Sequence, residues 1–329
     1  MKRRDFIAFV GGAAAAPLAW PLAARAQQPA RMRTVGVLSG FSNPRDKELR
    51  FGAFKRQLQS LGWVDGRNVN IDYREAGDPK RFDAIANALV AAGPDVILAM
   101  PSIAAHAVFR ATRSIPIVFG NVSDPIELGL VASFARPGGN ATGFTAFEYS
   151  LGGKWLELLR EFAPATRRVL VLYVEQYASL GLLRSSVSAG ATLGITVTPI
   201  QIRAAEDIPR AFQAFGNARG DGLLTPPHTI LINNMKRIFE LATQNRMPAV
   251  YPFRNYALNG GLVSYGSVEA DAYRGAADYV DRILKGAKPA DLPVQNPTRF
   301  EMVINLKAAR AIGLDVPASL LLRADEVVE

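Results

Sequence analysis

The feature that most constrains the fold is a regular alternation of short apolar runs with longer amphipathic segments. Residues 34–38 form a short apolar run rich in β-branched side chains, and residues 47–61 then place Leu49, Phe54 and Leu58 at helical spacing. Short buried strands separated by helix-length segments predict right-handed βαβ units and a parallel sheet. The sequence therefore predicts an α/β protein.

The alternation runs through the chain twice, which suits the two domains expected from 329 residues. It breaks near Gly138 and Gly139 and restarts with a predicted helix over 151–162. Predicted strands cover 34–38, 69–73, 95–100 and 115–119 in the first half, and 169–174, 196–200, 222–225 and 249–251 in the second. In the last third, a strand over 262–265 and a helix over 271–284 are too little for a third core. We expect them to complete the two existing sheets, which requires the chain to cross between lobes more than once.

The segment 115–145 is the best candidate for part of a binding site. Its apolar run stops at Gly120, polar residues follow as far as Asp124, and Pro125 is predicted to open a helix. A strand that delivers polar groups to a helix N-terminus is a common ligand site in α/β proteins. The alternative is an ordinary loop in which Asp124 caps the helix.

Residues 1–26 have the pattern of an export signal. A basic start precedes an apolar stretch from Phe6 to Leu22, and Ala24-Arg25-Ala26 predicts cleavage after Ala26. The run that begins Arg3-Arg4 resembles a twin-arginine signal, with the general export route as the alternative. An uncleaved membrane anchor is disfavoured because glycines and prolines interrupt the apolar stretch. We therefore expect a periplasmic protein.

The charge distribution argues against nucleic acid as a partner. Of the formal +9, the first 26 residues carry +3 and the rest of the chain +6. The basic residues of that remainder are scattered and form no run of five or more. A solvated basic surface fits this distribution better than a nucleic-acid footprint.

The chain offers little material for catalysis or metal binding. It has no cysteine and two histidines, His106 and His228, and it lacks the glycine-rich dinucleotide, P-loop, zinc-protease and nucleophile-elbow motifs. The sequence therefore predicts no catalytic residues, no metal and no cofactor.

Polar and aromatic side chains do cluster at the predicted carboxyl ends of strands in both halves. Open α/β sheets bind ligands at such ends, and two facing sheets would close a cleft. Ser102 could instead cap a helix, and Tyr251 could instead pack in the core. The candidate ligand contacts are Ser39, Phe41, Pro101, Ser102, Asn121, Asp124, Thr145, Tyr173, Thr225, Pro226, Tyr251 and Tyr265.

Several long segments resemble a known family. They are GWVDGRNVNIDYR (62–74), IPIVFGNVSDPIELGLVASFARPGGNATGFT (115–145), the long run over 270–314 and the closing LLLRADEVVE. The chain resembles the ABC transporter substrate-binding proteins of the tryptophan/tyrosine type. The resemblance covers nearly the whole chain, and these segments carry it.

The resemblance implies a type I periplasmic binding protein with two Rossmann-like lobes, parallel sheets flanked by helices, and an interlobe cleft. Residues 31–144 plus 262–293 would form the first lobe, and 145–261 plus 294–329 the second. A monomer would bind a small solute by lobe closure and deliver it to an ABC permease in the inner membrane.

An aromatic amino acid is one candidate ligand under this resemblance. Phe41, Tyr251 and Tyr265 would stack on its ring, and Ser102 and Asp124 would meet its carboxylate and ammonium groups. No arginine is evident as a carboxylate clamp, which leaves amides, small aromatic acids and other solutes open. Two other functions stay open as alternatives: a sensor that presents its closed state to a signalling receptor, and an enzyme on the same scaffold.

Overall fold

The computed structural model describes residues 31–40, 47–175, 177–216, 218 and 220–329. The predicted export signal and Phe41 lie outside the described residues. No helix within the described ranges is long and apolar enough to cross a lipid bilayer.

The first sheet has five parallel strands in the order β2-β1-β3-β4-β5. Its central strands form because their side chains are apolar and buried on both faces, as in the fully buried run Val96–Met100. The strands are β1 (Arg33–Ser39), β2 (Val69–Glu75), β3 (Val96–Met100), β4 (Ile117–Val122) and β5 (Ala141–Thr145). The helices between them are α1 (Ala53–Ser60), which a π-helical turn Glu48–Gly52 precedes, α2 (Phe82–Ala91) and α3 (Ser102–Ala111).

The second sheet has seven strands in the order β12-β11-β10-β9-β8-β6-β7. Its neighbouring strands are parallel except β10 and β11, which are antiparallel. The strands are β6 (Arg168–Tyr173), β7 (Thr196–Gln201), β8 (Asp221–Leu224), β9 (Ala249–Tyr251), β10 (Val263–Ser267), β11 (Phe300–Asn305) and β12 (Glu326–Val328). The helices of this part are α4 (Leu151–Phe162), α5 (Tyr177–Leu193), α6 (Asp207–Phe215), α7 (Thr229–Asn233), α8 (Met235–Gln244), α9 (Arg254–Leu258), α10 (Glu269–Leu284), α11 (Leu306–Ala311) and α12 (Ala318–Leu321).

Apolar side chains cover both faces of each sheet, which gives four core clusters. Helix α10 follows a strand of the second sheet but packs on the first, where Tyr273, Ala277 and Val280 lie against Val37 and Val118. We call the five-stranded sheet with α1–α3 and α10 the first lobe, and the seven-stranded sheet with its other helices the second lobe. The predicted α/β class and the two-sheet arrangement are confirmed.

Strand β10 differs from the predicted assignment of residues 262–293 to the first lobe. It pairs with β9 and β11 and is therefore part of the second sheet. The edge of the first sheet beside β5 is occupied instead by the segment around Gln295, whose N–H donates to the carbonyl of Gly143 at 2.9 Å. First-lobe structure thus resumes only with α10.

The helix predicted to begin at Pro125 does not form. The chain makes a single turn, after which the N–H groups of Leu130 and Val131 both donate to the carbonyl of Pro125. Gly129 has φ +67°, a left-handed conformation that ends a helix after one turn. The following residues run irregularly to β5, a strand that the sequence pattern did not predict.

Candidate ligand-binding site and hinge

The chain crosses between the two lobes three times, after β5, after β10 and before β11. The three crossings are hydrogen-bonded to one another. The N–H of Thr145 donates to the carbonyl of Gln295 at 2.9 Å, and the hydroxyl of Ser267 donates to the carbonyl of Ala146 at 2.8 Å. The N–H of Val268 donates to the carbonyl of Arg299 at 3.1 Å. These bonds tie the crossings into one hinge.

A cavity of about 140 Å³ lies where the crossings meet. Asn121 lines it from the end of β4, Thr145 from the end of β5, and Ser267 and Glu269 from the second crossing. The third crossing contributes residues 295–299. We call this space the hinge cavity. Because the carboxyl ends of β4, β5 and β10 meet here, it occupies the position at which α/β proteins bind ligands.

Two local features shape the hinge cavity. Asn121 has φ +59°, a left-handed conformation that asparagine tolerates better than most residues and that is enriched at functional sites. Glu269 accepts a hydrogen bond from the guanidinium of Arg50 at 2.8 Å, and the side chains of the pair are only 12% and 9% exposed. The carboxylate of Glu269 is thereby neutralised inside the wall of the cavity.

Three of the predicted contacts of the first lobe lie at the carboxyl ends of β1 and β3, and one of them, Ser102, contacts the loop that follows β4. Ser39 ends β1 and is buried, and Pro101 and Ser102 follow β3 and begin α3. The hydroxyl oxygen of Ser102 accepts the N–H of Ser123 at 3.1 Å and so fastens this loop to the start of α3. A hydroxyl that accepts in this way keeps its own proton for another partner.

Asp124 connects the two lobes. One carboxylate oxygen accepts the N–H of Glu127 at 3.0 Å and so caps the single turn that forms in place of the predicted helix, and the other accepts the hydroxyl of Tyr149. Tyr149 lies beyond the first crossing and packs against the core of the second lobe. Burial and the bond to Asp124 both raise the pKa of the Tyr149 hydroxyl, so it stays a donor.

Glycine 181 makes room for this connection. A Cβ at Gly181 would lie 2.4 Å from the ring of Tyr149, so only glycine lets α5 approach the ring so closely. The side chain of Tyr149 is thereby held where its hydroxyl reaches Asp124.

In the second lobe, the loop after β8 carries the predicted Thr225 and Pro226. Thr225 is fully buried, and its hydroxyl has no hydrogen-bond partner among the described residues. Pro226 is buried as well. His228 follows, and its Nδ1 accepts the N–H of Ile230 at 3.2 Å, which caps α7. Tyr173 ends β6 and is half-buried against the core.

Two aromatic candidates lie apart from the hinge cavity. Tyr251 is 1% exposed and packs between Phe239 and Tyr256, with ring centroids 5.1 and 5.2 Å away, as the core-packing alternative proposed. Tyr265 stacks on Phe300 beside a separate surface groove. Neither ring lines the hinge cavity.

Sequence reasoning missed the residues of the second and third crossings that line the cavity, including Ser267, Asn296 and Arg299. Crossing segments have no helical or strand periodicity, so no pattern marks them. A polar run after Pro293, QNPTR, was the only signal available. Within the described ranges, no group of three or more acidic or histidine side chains could hold a metal ion.

Two α/β lobes, three crossings and a cavity at the hinge define a two-lobed binding protein of the type I periplasmic class. A comparison with protein families matches residues 34–328 to the family described as ABC transporter substrate binding protein. The match spans nearly the whole chain, so the chain belongs to this family. The family resemblance seen in the sequence is confirmed.

Three relatives illustrate the similarity. A tyrosine-binding protein of Clostridioides difficile is 26% identical over 287 residues, which are 86% of this chain and 82% of that protein. A conserved domain protein of Vibrio cholerae has a crystal structure with a TM-score of 0.81 and 27% identity, covering 90% of this chain and all of the other. The ABC domain of a Streptococcus pneumoniae protein in complex with L-Trp has a TM-score of 0.81 and 25% identity, covering 90% of this chain and 99% of the other.

The bond between Tyr149 and Asp124 predicts a measurable interlobe connection. Tyr149→Phe removes the hydroxyl and should lower the free energy of unfolding by about 1 kcal/mol, the usual net value of one hydrogen bond. Small-angle scattering should show a larger radius of gyration in the ligand-free variant than in the wild type. Tyr173→Phe is the matched control, because the hydroxyl of this half-buried tyrosine makes no hydrogen bond to a described residue. Unchanged stability and size in Tyr149→Phe would contradict the connection.

The cap at His228 predicts a pH effect. Burial lowers the pKa of His228 in the folded state below the unfolded value of about 6.5, so the folded protein binds fewer protons and loses stability as the pH falls below about 6.5. His228→Asn should keep the cap and remove this loss. The measurement is the free energy of unfolding in urea at pH 7.5 and 5.5 for both proteins. Because the carboxylates titrate in both proteins, the difference between the two losses reports the contribution of His228. Equal losses in the two proteins would show that His228 does not contribute.

Proposed function

We propose that this chain is the exported solute-binding component of an ABC importer and that it captures a small solute between its lobes. The observation that carries the proposal is the hinge cavity, where strand ends of both lobes and all three crossings meet. A solute that contacts both lobes stabilises their closed arrangement in proportion to its preference for that state. The closed protein would then deliver the solute to a permease in the inner membrane.

An aromatic amino acid or a related compound is the proposed solute. Support comes from two relatives, one called a tyrosine-binding protein and one solved in complex with L-Trp. The proposed contacts are the predicted residues at strand ends of the two lobes: Ser39, Pro101, Ser102, Asn121, Thr145, Tyr173, Thr225 and Pro226. The unpartnered hydroxyl of Thr225 supports its inclusion, because a buried polar group without a partner is costly unless a ligand satisfies it.

We further propose that the protein is not an enzyme and that it acts as a monomer. We also propose that its second lobe includes β10. The first lobe would then comprise residues 31–144 and 268–293, and the second lobe residues 145–267 and 294–329.

The role of Asp124 changes under this proposal. Since both of its carboxylate oxygens already accept protein hydrogen bonds, it acts in lobe closure rather than as a partner for a ligand ammonium group.

A ligand screen tests the proposed solute. At about 100 times its Kd, the right solute should stabilise the mature protein by about 2.7 kcal/mol, which raises the melting temperature. We expect a shift with L-tryptophan, L-tyrosine or L-phenylalanine and none with glycine or glucose. The absence of a shift with all three aromatic amino acids would refute the aromatic class, whereas a shift with another solute would keep the binding function.

Export can be tested at the residues of the predicted signal. If the twin-arginine route is used, replacing Arg3 and Arg4 by lysine should leave the protein in the cytoplasm with its first 26 residues uncleaved. Fractionation and the mass of the N-terminal peptide provide the measurement. Replacing Arg31 and Arg33 by lysine is the matched control. Normal export and cleavage after the Arg3 and Arg4 replacements would exclude the twin-arginine route and favour the general one.

A further inference from the structure

The wall of the hinge cavity contains one arginine, Arg299, and two acids, Glu269 and Asp271. Asp271 pairs with two guanidinium groups, Arg274 on the same helix and Arg299 in the third crossing, the latter at 3.4 Å. One carboxylate balances only one of these two cations. The other acid of the wall, Glu269, is already balanced by Arg50. Both acids of the wall are therefore engaged by guanidinium groups, and Asp271 is shared between two of them.

Among the described residues, Glu269 and Asp271 are the acids that line the cavity. The nearby carboxylates of Glu301 and Glu326 lie outside the wall, and both pair with Arg254. Because both acids of the wall are already paired, the guanidinium of Arg299 is the charged group of the wall that can attract an anionic group of a solute.

Arg299 is the cation whose donors are available. Its side chain is 68% exposed, and among the described residues its only polar partner is Asp271. At 3.4 Å this contact is an ion pair, and the structure records no hydrogen bond from the guanidinium to any described residue. A guanidinium has five N–H donors in a planar fork that matches the two oxygens of a carboxylate.

A second donor points to the same kind of group. The hydroxyl of Thr145 donates to Oδ1 of Asn296 at 2.8 Å, which orients the amide of Asn296 on the cavity wall. The Nδ2 group of Asn296 then keeps its two N–H donors, since it has no acceptor among the described residues. Arg299 and Asn296 belong to the same crossing and line the same cavity of about 140 Å³, far larger than the ~10–15 Å³ that one water requires.

We propose that Arg299, with Asn296, binds a carboxylate group of the solute in the hinge cavity. This inference rests on the proposed function and narrows it, because it selects solutes with a carboxylate over amides, amines and uncharged compounds. Asp271 is a positioning residue that holds the guanidinium of Arg299 at the cavity wall. Since the backbone carbonyl of Arg299 accepts the N–H of Val268 from the second crossing, the bound carboxylate contacts a residue of the hinge itself.

Calorimetric titrations of matched ligands test this role. We compare wild-type protein, Arg299→Gln and Arg299→Lys with L-tryptophan, with indole-3-propionate, which lacks the ammonium group, and with tryptamine, which lacks the carboxylate. Arg299→Gln should weaken the binding of the two carboxylates about 10-fold or more, because it removes a charge-assisted hydrogen bond, and should leave any binding of tryptamine unchanged. Arg299→Lys should be intermediate, since lysine keeps the charge without the fork.

The control is Arg237→Gln, which removes a surface arginine that pairs with Glu240 on α8 and does not line the cavity. It should bind all three ligands as the wild type does. Equal carboxylate affinities in Arg299→Gln and the wild type would overturn the inference and leave the proposed function standing.

A second measurement separates the inference from the ligand class. If the wild type binds none of the three indole compounds, their class is wrong, and acetate then serves as the probe. A carboxylate site should make acetate raise the melting temperature of the wild type more than that of Arg299→Gln, relative to chloride at equal ionic strength. Identical responses to acetate would overturn the carboxylate site itself.

Discussion

The arrangement of this protein depends on the hydrogen bonds that join its three chain crossings. Thr145, Gln295, Ser267, Val268 and Arg299 connect each crossing to another through backbone and hydroxyl groups. Three separate tethers would let the lobes twist and slide as well as open. Joined crossings favour rotation about a common hinge, so the proposed closure would bring the same residues of both lobes to a ligand each time.

The two lobes keep their own cores on either side of that hinge. Each sheet is covered on both faces, so a change in the angle between the lobes need not disturb the packing within either. The contact between Tyr149 and Asp124 is of a different kind, because it spans the lobes through side chains alone. It slightly stabilises one angle between the lobes. A ligand can reinforce or oppose this preference only if it contacts the protein differently at different angles.

Much of the fold could be predicted from the sequence, and the failures have identifiable physical causes. Buried runs such as Val96–Met100 and amphipathic segments such as Leu151–Phe162 have periodicities that depend only on local geometry. The sheet that β10 joins depends on long-range pairing, and its local pattern suits either sheet equally. Pro125 is typical of a helix start, but the left-handed conformation of Gly129 stops the chain after a single turn, so no helix forms.

The site was harder to predict than the fold. Asn121 could be located because polar residues follow a buried run, and Thr145 because the chain enters its second half there; both line the hinge cavity. Arg299 was missed because a crossing has no periodic signal. Its ion-pair partner Asp271 is distant from it in the sequence, and Asp271 with Arg274 looks in the sequence like an ordinary charged pair on a solvated helix face. Whether Tyr251 faces the cleft or the core depends on which face of β9 is covered, and alternation alone does not settle that.

The placement of α10 has a consequence for the order in which the protein can fold. The face of the first sheet that α10 covers contains Val35, Val37, Val96 and Val118, all of which are synthesised before any of the second lobe. Helix α1 covers part of this face early, but the part that α10 covers stays exposed in a nascent chain until residue 284 has left the ribosome. Contacts between such distant parts of a chain form slowly, and exposed apolar surface favours aggregation in the meantime. The first lobe to be synthesised is thus completed only after most of the second has been synthesised.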